Sequence, residues 1–180
     1  MLSLYGIVMF LFKGAYIWVP TYLKETYHLT IGKAILFSII LPVIGIFSNY
    51  CMGRFSDRFG RKISLISIFL ILAICFFLLF LGKKRMLVPI LVVFGFFINT
   101  FSGVINAYTR DLLPPQIMGK AFGIIFTFSI CLSSLSPFLM GIISDRSSLS
   151  MSMLFLSIVS LLGLSVSLKT PKPFADQSNK

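Results

Sequence analysis

The chain has 180 residues, 57% of them hydrophobic and only 12% charged, with a mean hydropathy of +0.98. Soluble domains carry about 25% charged residues, so a water-soluble fold is excluded. The formal charge of +11 does not mark a nucleic-acid binder either, because the basic residues lie in short clusters between apolar runs, where they set topology and meet anionic head groups.

A spanning helix takes about 20 apolar residues, and six runs qualify: 2 to 20, 34 to 52, 63 to 82, 86 to 108, 120 to 143 and 150 to 168. The first has no basic leader and no small-residue cleavage site, so it reads as a span and not as a signal peptide. The chain begins inside this helix, which is the pattern of an internal start, a truncation or a split gene. Lys13 sits mid-run, where exposure to lipid is costly, with Tyr16 three residues on; Trp18 and Tyr22 read as interfacial belt residues. The first break carries Lys24, Glu25, His28 and Lys33. His28 reads as a solvated loop residue, with proton coupling as the alternative its chemistry allows.

The second run carries Gly45, Asn49 and Gly53 at spacings of four, and "GRFSDRFGRK", residues 53 to 62, reads as a polar loop before the third run. Lys83, Lys84 and Arg85 follow that run. The fourth places Asn99, Ser102 and Asn106 on one face, and Arg110, Asp111, Pro114 and Pro115 close it. The fifth carries a stripe of small residues, Gly119, Gly123, Thr127, Cys131 and Ser134. In lipid such stripes let backbones pack closely, either on sibling helices or on a partner. Asp145 and Arg146 precede the sixth run, and residues 169 to 180, with "KTPKP", form a polar tail expected to be disordered beyond Pro171. Cys51, Cys75 and Cys131 read as reduced, buried and structural. No span holds an acidic residue, a metal motif or a serine with a histidine partner, so an intramembrane enzyme is not expected, nor a cofactor or metal site.

"GRFSDR" at 53 to 58 recurs as "GIISDR" at 141 to 146, an offset of 88 residues. The alternative is chance recurrence of a short pattern, but the helix boundaries repeat at nearly the same offset. Three helices per unit make the second unit enter the membrane upside down, an inverted 3+3 repeat. The expected organisation is an all-α membrane protein: a six-helix bundle over 1–168, with units of about 1–85 and 86–168, and a cytoplasmic tail over 169–180. With both termini cytoplasmic, the inner side holds Arg54, Arg58, Arg61, Lys62, Arg110, Lys120, Lys169, Lys172 and Lys180, against Lys24, Lys33, Lys83, Lys84, Arg85 and Arg146 outside. The positive-inside rule favours that orientation.

"GRFSDRFGRK" resembles the signature loop of the major facilitator superfamily, with Gly53, Asp57, Arg58, Gly60, Arg61 and Lys62 at the constrained positions. The resemblance covers the whole chain as one half of a twelve-helix transporter. An uncharged fourth helix, the "FSICLSSLSPFLMGIISDR" of the fifth and the short tail are similar to the C-terminal half. What the resemblance implies is a secondary transporter of the cell membrane, rocking two halves around a small solute. Asp57 would then latch the inner gate against a helix N-terminus of the other half, where unpaired N–H groups favour an anion. Arg58 and Arg61 would hold Asp57 or nearby carbonyls; Arg61 and Lys62, taken alone, read as a solvated topogenic turn. The second and fifth helices would contact the other half through Gly45, Asn49, Gly119, Gly123, Thr127, Cys131 and Ser134. The first and fourth would line the solute path through Lys13, Tyr16, Asn99 and Asn106. Lys13 snorkelling to the outer interface, and asparagines bonded only to neighbouring helices, remain the alternatives. Partners implied are lipid, a second six-helix half (fused upstream, separate or a second copy), a small solute and, if transport is coupled, an ion. The competing reading is a non-transporting fragment or accessory membrane subunit.

Overall fold

The computed structural model describes residues 2–82 and 86–170. They form α1 (Leu2–Tyr27), α2 (Ile31–Phe59), α3 (Arg61–Phe80), α4 (Leu87–Leu112), α5 (Met118–Arg146) and α6 (Leu149–Lys169), with a 3-10 turn at Pro115–Ile117 before α5. All six helices are long and apolar enough to cross a bilayer. Lys83, Lys84 and Arg85, and the tail beyond Thr170, lie outside the described residues.

The helices outrun the apolar runs that announced them. α1 continues through Pro20 to Tyr27, and α2 and α5 pass Pro42 and Pro137, which neighbouring helices make tolerable in a membrane. The largest departure concerns "GRFSDRFGRK". It is not a loop: α2 runs to Phe59, α3 starts at Arg61, and Gly60 alone separates them. Gly60 has φ 94° and ψ 142°, a backbone that only glycine adopts without strain. Its N–H bonds Ser56 O at 3.1 Å, and its carbonyl accepts from Ser64 N at 3.2 Å. At the other end of the bundle His28, exposed and with φ 53°, follows the last residue of α1. That is the left-handed position at which helices commonly stop, and it gives this histidine a structural reason to be there.

The two three-helix units match in length, 26, 29 and 20 residues against 26, 29 and 21. Their packing also matches: α1 lies along α5, α2 along α4, and α3 along α6. The result is two layers, with α2, α4, α1 and α5 side by side in front and α3 and α6 behind. Three seams are made by glycine. A Cβ on Gly95 would meet Leu41 Cα at 3.0 Å, one on Gly14 would collide with Ser136 Oγ, and one on Gly163 with the ring of Phe69. Lipid supplies no hydrophobic drive between helices, so such close approach and interhelical hydrogen bonds hold the layers. In the back seam Ser157 and Ser160 donate to Ala73 O at 2.9 Å and Phe69 O at 2.8 Å. The core between the layers is aromatic, with Phe69 edge-on to Phe101 and Phe76 to Phe94. α2 and α5 are the least covered helices: 22% of each apolar window is buried, against 50% for α1, α3 and α4.

Candidate functional site

Near mid-membrane the front layer is tied together by polar side chains from its two central helices. Tyr16 on α1 donates to Asn99 Oδ1 on α4 at 2.6 Å, and Asn99 Nδ2 donates onward to Leu41 O on α2 at 2.8 Å and Gly95 O at 2.7 Å. On the other side Lys13 Nζ donates to Ser134 Oγ of α5 at 3.0 Å, and that hydroxyl donates to Ile130 O at 2.9 Å. Nearer the motif end Tyr5 donates to Asn106 Oδ1 at 2.7 Å. Lys13, Tyr16, Asn99 and Asn106 are thus all half-buried in one layer, and both asparagines do bond neighbouring helices.

Lys13 lies about halfway along α1 and reaches sideways to α5, not toward a membrane surface. A lysine at the centre of a lipid-facing helix costs about 2.5–3.5 kcal/mol, whereas one interhelical hydrogen bond returns about 0.6–1.7 kcal/mol. The serine alone does not settle that deficit. A front layer facing water or protein, not acyl chains, would.

The motif end carries a second constellation. A cleft of about 330 Å³ opens between α2 and α4, lined by Asn49, Gly53, Ser56, Asp57, Thr100 and Gly103, with Arg61 and Arg110 also on its wall. Arg61 bridges two carboxylates: Asp57 on α2 at 3.5 Å and, through Nε, Asp111 at the end of α4. Arg110 Nε stands 3.9 Å from Asp111. Arg61 and Asp111 are 19% and 14% exposed, Asp57 70%. Lys62 donates to Leu168 O at 2.9 Å and Thr170 O at 2.6 Å, satisfying carbonyls that the end of α6 leaves open.

These contacts correct part of the sequence reading. Arg61 and Lys62 are anchored and are not a solvated turn. Arg58 does not hold Asp57; it is exposed beside the Phe59 ring, 5.8 Å from its centroid. Gly45 does not face a partner half: it is buried against α4, where a Cβ would stand 2.6 Å from Asn99 Cγ. Asn49 is exposed at the rim of the cleft, its side chain bonded back to Gly45 O at 3.0 Å. The α5 stripe is uncovered, since Gly119, Gly123, Thr127, Cys131 and Ser134 are all exposed, and Ser134 doubles as the acceptor for Lys13. Of the cysteines only Cys75 is buried; Cys51 and Cys131 are exposed. Tyr22 is no belt residue, being fully buried and bonded to Leu79 O, whereas Trp18 lies half-buried against Gly141 and donates to Pro137 O at 3.2 Å.

Asp111 is the site residue that sequence reasoning missed. A signal existed: a carboxylate in the last turn of a helix opposes the helix dipole, so its presence there asks for a cation nearby.

Residues 1–180 match a family model described as Major Facilitator Superfamily. The sequence is 24% identical over 152 residues to the proline/betaine transporter of Escherichia coli (strain K12), the match covering 82% of this chain and 30% of that protein. With the glycine betaine/proline/ectoine/pipecolic acid transporter OusA of Dickeya dadantii (strain 3937) the identity is 25%, with the same two coverages. It is 21% over 143 residues with the uncharacterized MFS-type transporter YfnC of Bacillus subtilis (strain 168), covering 79% and 35%. The chain therefore spans about a third of the length of the curated relatives it matches.

Proposed function

The chain belongs to the major facilitator superfamily, and we propose that this integral membrane protein supplies one six-helix half of a secondary transporter that moves a small solute across the cell membrane by alternating access. The observation that carries this reading is Lys13, a cation held at mid-membrane in the front layer by a single serine. Its ammonium has donors to spare, and a carboxylate-bearing solute would use them. The named solutes of two relatives, proline and betaine, are of that chemistry. Tyr16, Asn99 and Asn106 would border the same path.

A second six-helix half, whether fused, separate or a second copy, would cover the exposed α5 stripe and the front edge of α2 at Asn49. Asp57, mostly solvent-exposed at the cleft, is suited to latch onto a helix N-terminus of that half. Arg54, Arg58, Arg61, Lys62, Arg110, Lys120 and Lys169 share the motif end, which supports a cytoplasmic placement of that end and of both termini. Because the apolar runs of this half hold no carboxylate, a coupling ion would find its acidic partner on the other half.

The test is uptake of labelled proline and glycine betaine, against a neutral sugar, by proteoliposomes carrying the assembled protein. Wild type should accumulate a carboxylate solute and Lys13→Gln should lose most of that uptake. A Lys13→Cys variant, with Cys51, Cys75 and Cys131 replaced by serine, should react with a small water-soluble thiol reagent. No uptake by the wild type, together with no reaction of the Lys13→Cys variant, would leave a non-transporting membrane subunit as the better account.

A further inference from the structure

The outer flank of α2 carries two arginines that neither the cleft nor the front layer uses. Among the described residues neither Arg54 nor Arg58 pairs with a carboxylate, since Asp57 is turned to Arg61. Each guanidinium instead lies by an exposed ring: Arg54 is 4.7 Å from the centroid of Tyr50 and Arg58 is 5.8 Å from that of Phe59, whose ring is tilted against Phe55 with centroids 4.6 Å apart. Stacking occupies the face of a guanidinium and leaves its edge donors free.

Depth and direction identify what those donors meet. From Ala34 to Gly53 α2 carries no charge; these 20 residues rise about 30 Å, the thickness of the hydrocarbon layer. Arg54 therefore stands at the hydrocarbon boundary and Arg58 one turn farther out, at head-group depth. Arg54 also follows Leu36 by 18 residues, about five full turns, so it continues the stripe of Leu36, Val43 and Phe47, which are 66%, 50% and 70% exposed. Gly53 and Asp57, which line the cleft toward α4, point about 100° and 60° to one side of that stripe. We infer that Arg54 and Arg58 form a binding site for the phosphate of an anionic lipid in the leaflet at the motif end, with Tyr50 and Phe55 at the acyl boundary and Phe59 beside Arg58 at head-group depth.

Native mass spectrometry of the full chain, titrated in micelles with phosphatidylglycerol or phosphatidylcholine, tests this directly. Phosphatidylglycerol should be retained preferentially, and Arg54→Gln/Arg58→Gln should weaken its retention about thirtyfold, from roughly 1 kcal/mol per basic residue. Arg54→Lys/Arg58→Lys, which keeps the charge, should weaken it only a few-fold, and Lys24→Gln/Lys33→Gln, which removes as much charge at the opposite end, should leave it unchanged. Equal retention of the two lipids overturns the inference, as does equal loss in the two glutamine pairs or no loss in the first. Displacement of the lipid by millimolar inorganic phosphate would assign the arginines to a soluble anion and overturn it too.

Discussion

The two copies of the internal repeat end in the same three residues, Ser-Asp-Arg, yet their surroundings differ at the two ends of the bundle. At the motif end Gly60 turns the chain in one residue, Arg61 joins Asp57 to Asp111, and Lys62 closes the end of α6. At the opposite end Asp145 and Arg146 are exposed and form no ion pair among the described residues. α5 gives way to α6 through Ser147 and Ser148, the latter capping Met151 N at 3.3 Å. Lys24 and Glu25 stand near the end of α1 as Arg110 and Asp111 stand near the end of α4, but the residue opening α6 in the place of Arg61 is Leu149. The Asp-Arg pair is thus common to both ends, and the following Gly-Arg-Lys makes one of them a lock.

That contrast can be broken at its strongest point first. Arg61→Gln leaves Asp111 largely buried without its close cation; removing one member of a fully buried pair costs about 3–5 kcal/mol, so with partial exposure a loss of about 2–3 kcal/mol is expected, read as a lower thermal midpoint of the purified chain in micelles. Gly60→Ala should cost about 1–2 kcal/mol, because a side chain at φ 94° is strained whatever space surrounds it; an unchanged midpoint would show that another residue absorbs the turn. Lys62→Met removes a donor to two carbonyls and should cost about 1 kcal/mol, accompanied by faster amide exchange confined to the last turn of α6. Asp57→Asn and Asp145→Asn, both on exposed carboxylates, should each shift stability by less than about 0.5 kcal/mol. They then separate by function: the first should slow solute uptake and the second should not. Equal uptake by the two variants would remove Asp57 from the gate.

The six spans were legible because each is a long, predominantly apolar run, and lipid accepts little else. Their ends were not, because charge marks where hydrocarbon stops and not where the helix stops. Hence the motif, read as a loop, proved to be the last turns of α2, one glycine and the first turn of α3. The residues that tie the front layer together, Lys13, Tyr16, Asn99 and Asn106, were legible as polar groups in apolar runs. Gly45 was misplaced because a stripe of small residues reports close packing without saying against what; only the crossing at Leu41, Gly95 and Asn99 decides it. Tyr22 is the converse case. Its place near a charged break suggested a belt, but it continues the series Leu4, Val8, Leu11, Ala15 and Val19, whose spacing of three and four is that of a buried helix face.

Trp18 is the only tryptophan in the chain. Packed over Gly141 with its N–H on Pro137 O, it is a built-in fluorophore at the α1–α5 seam. Any rearrangement that parts those helices and wets the indole should red-shift and dim its emission. Any such movement can therefore be followed in unlabelled protein, in real time, as candidate solutes are added.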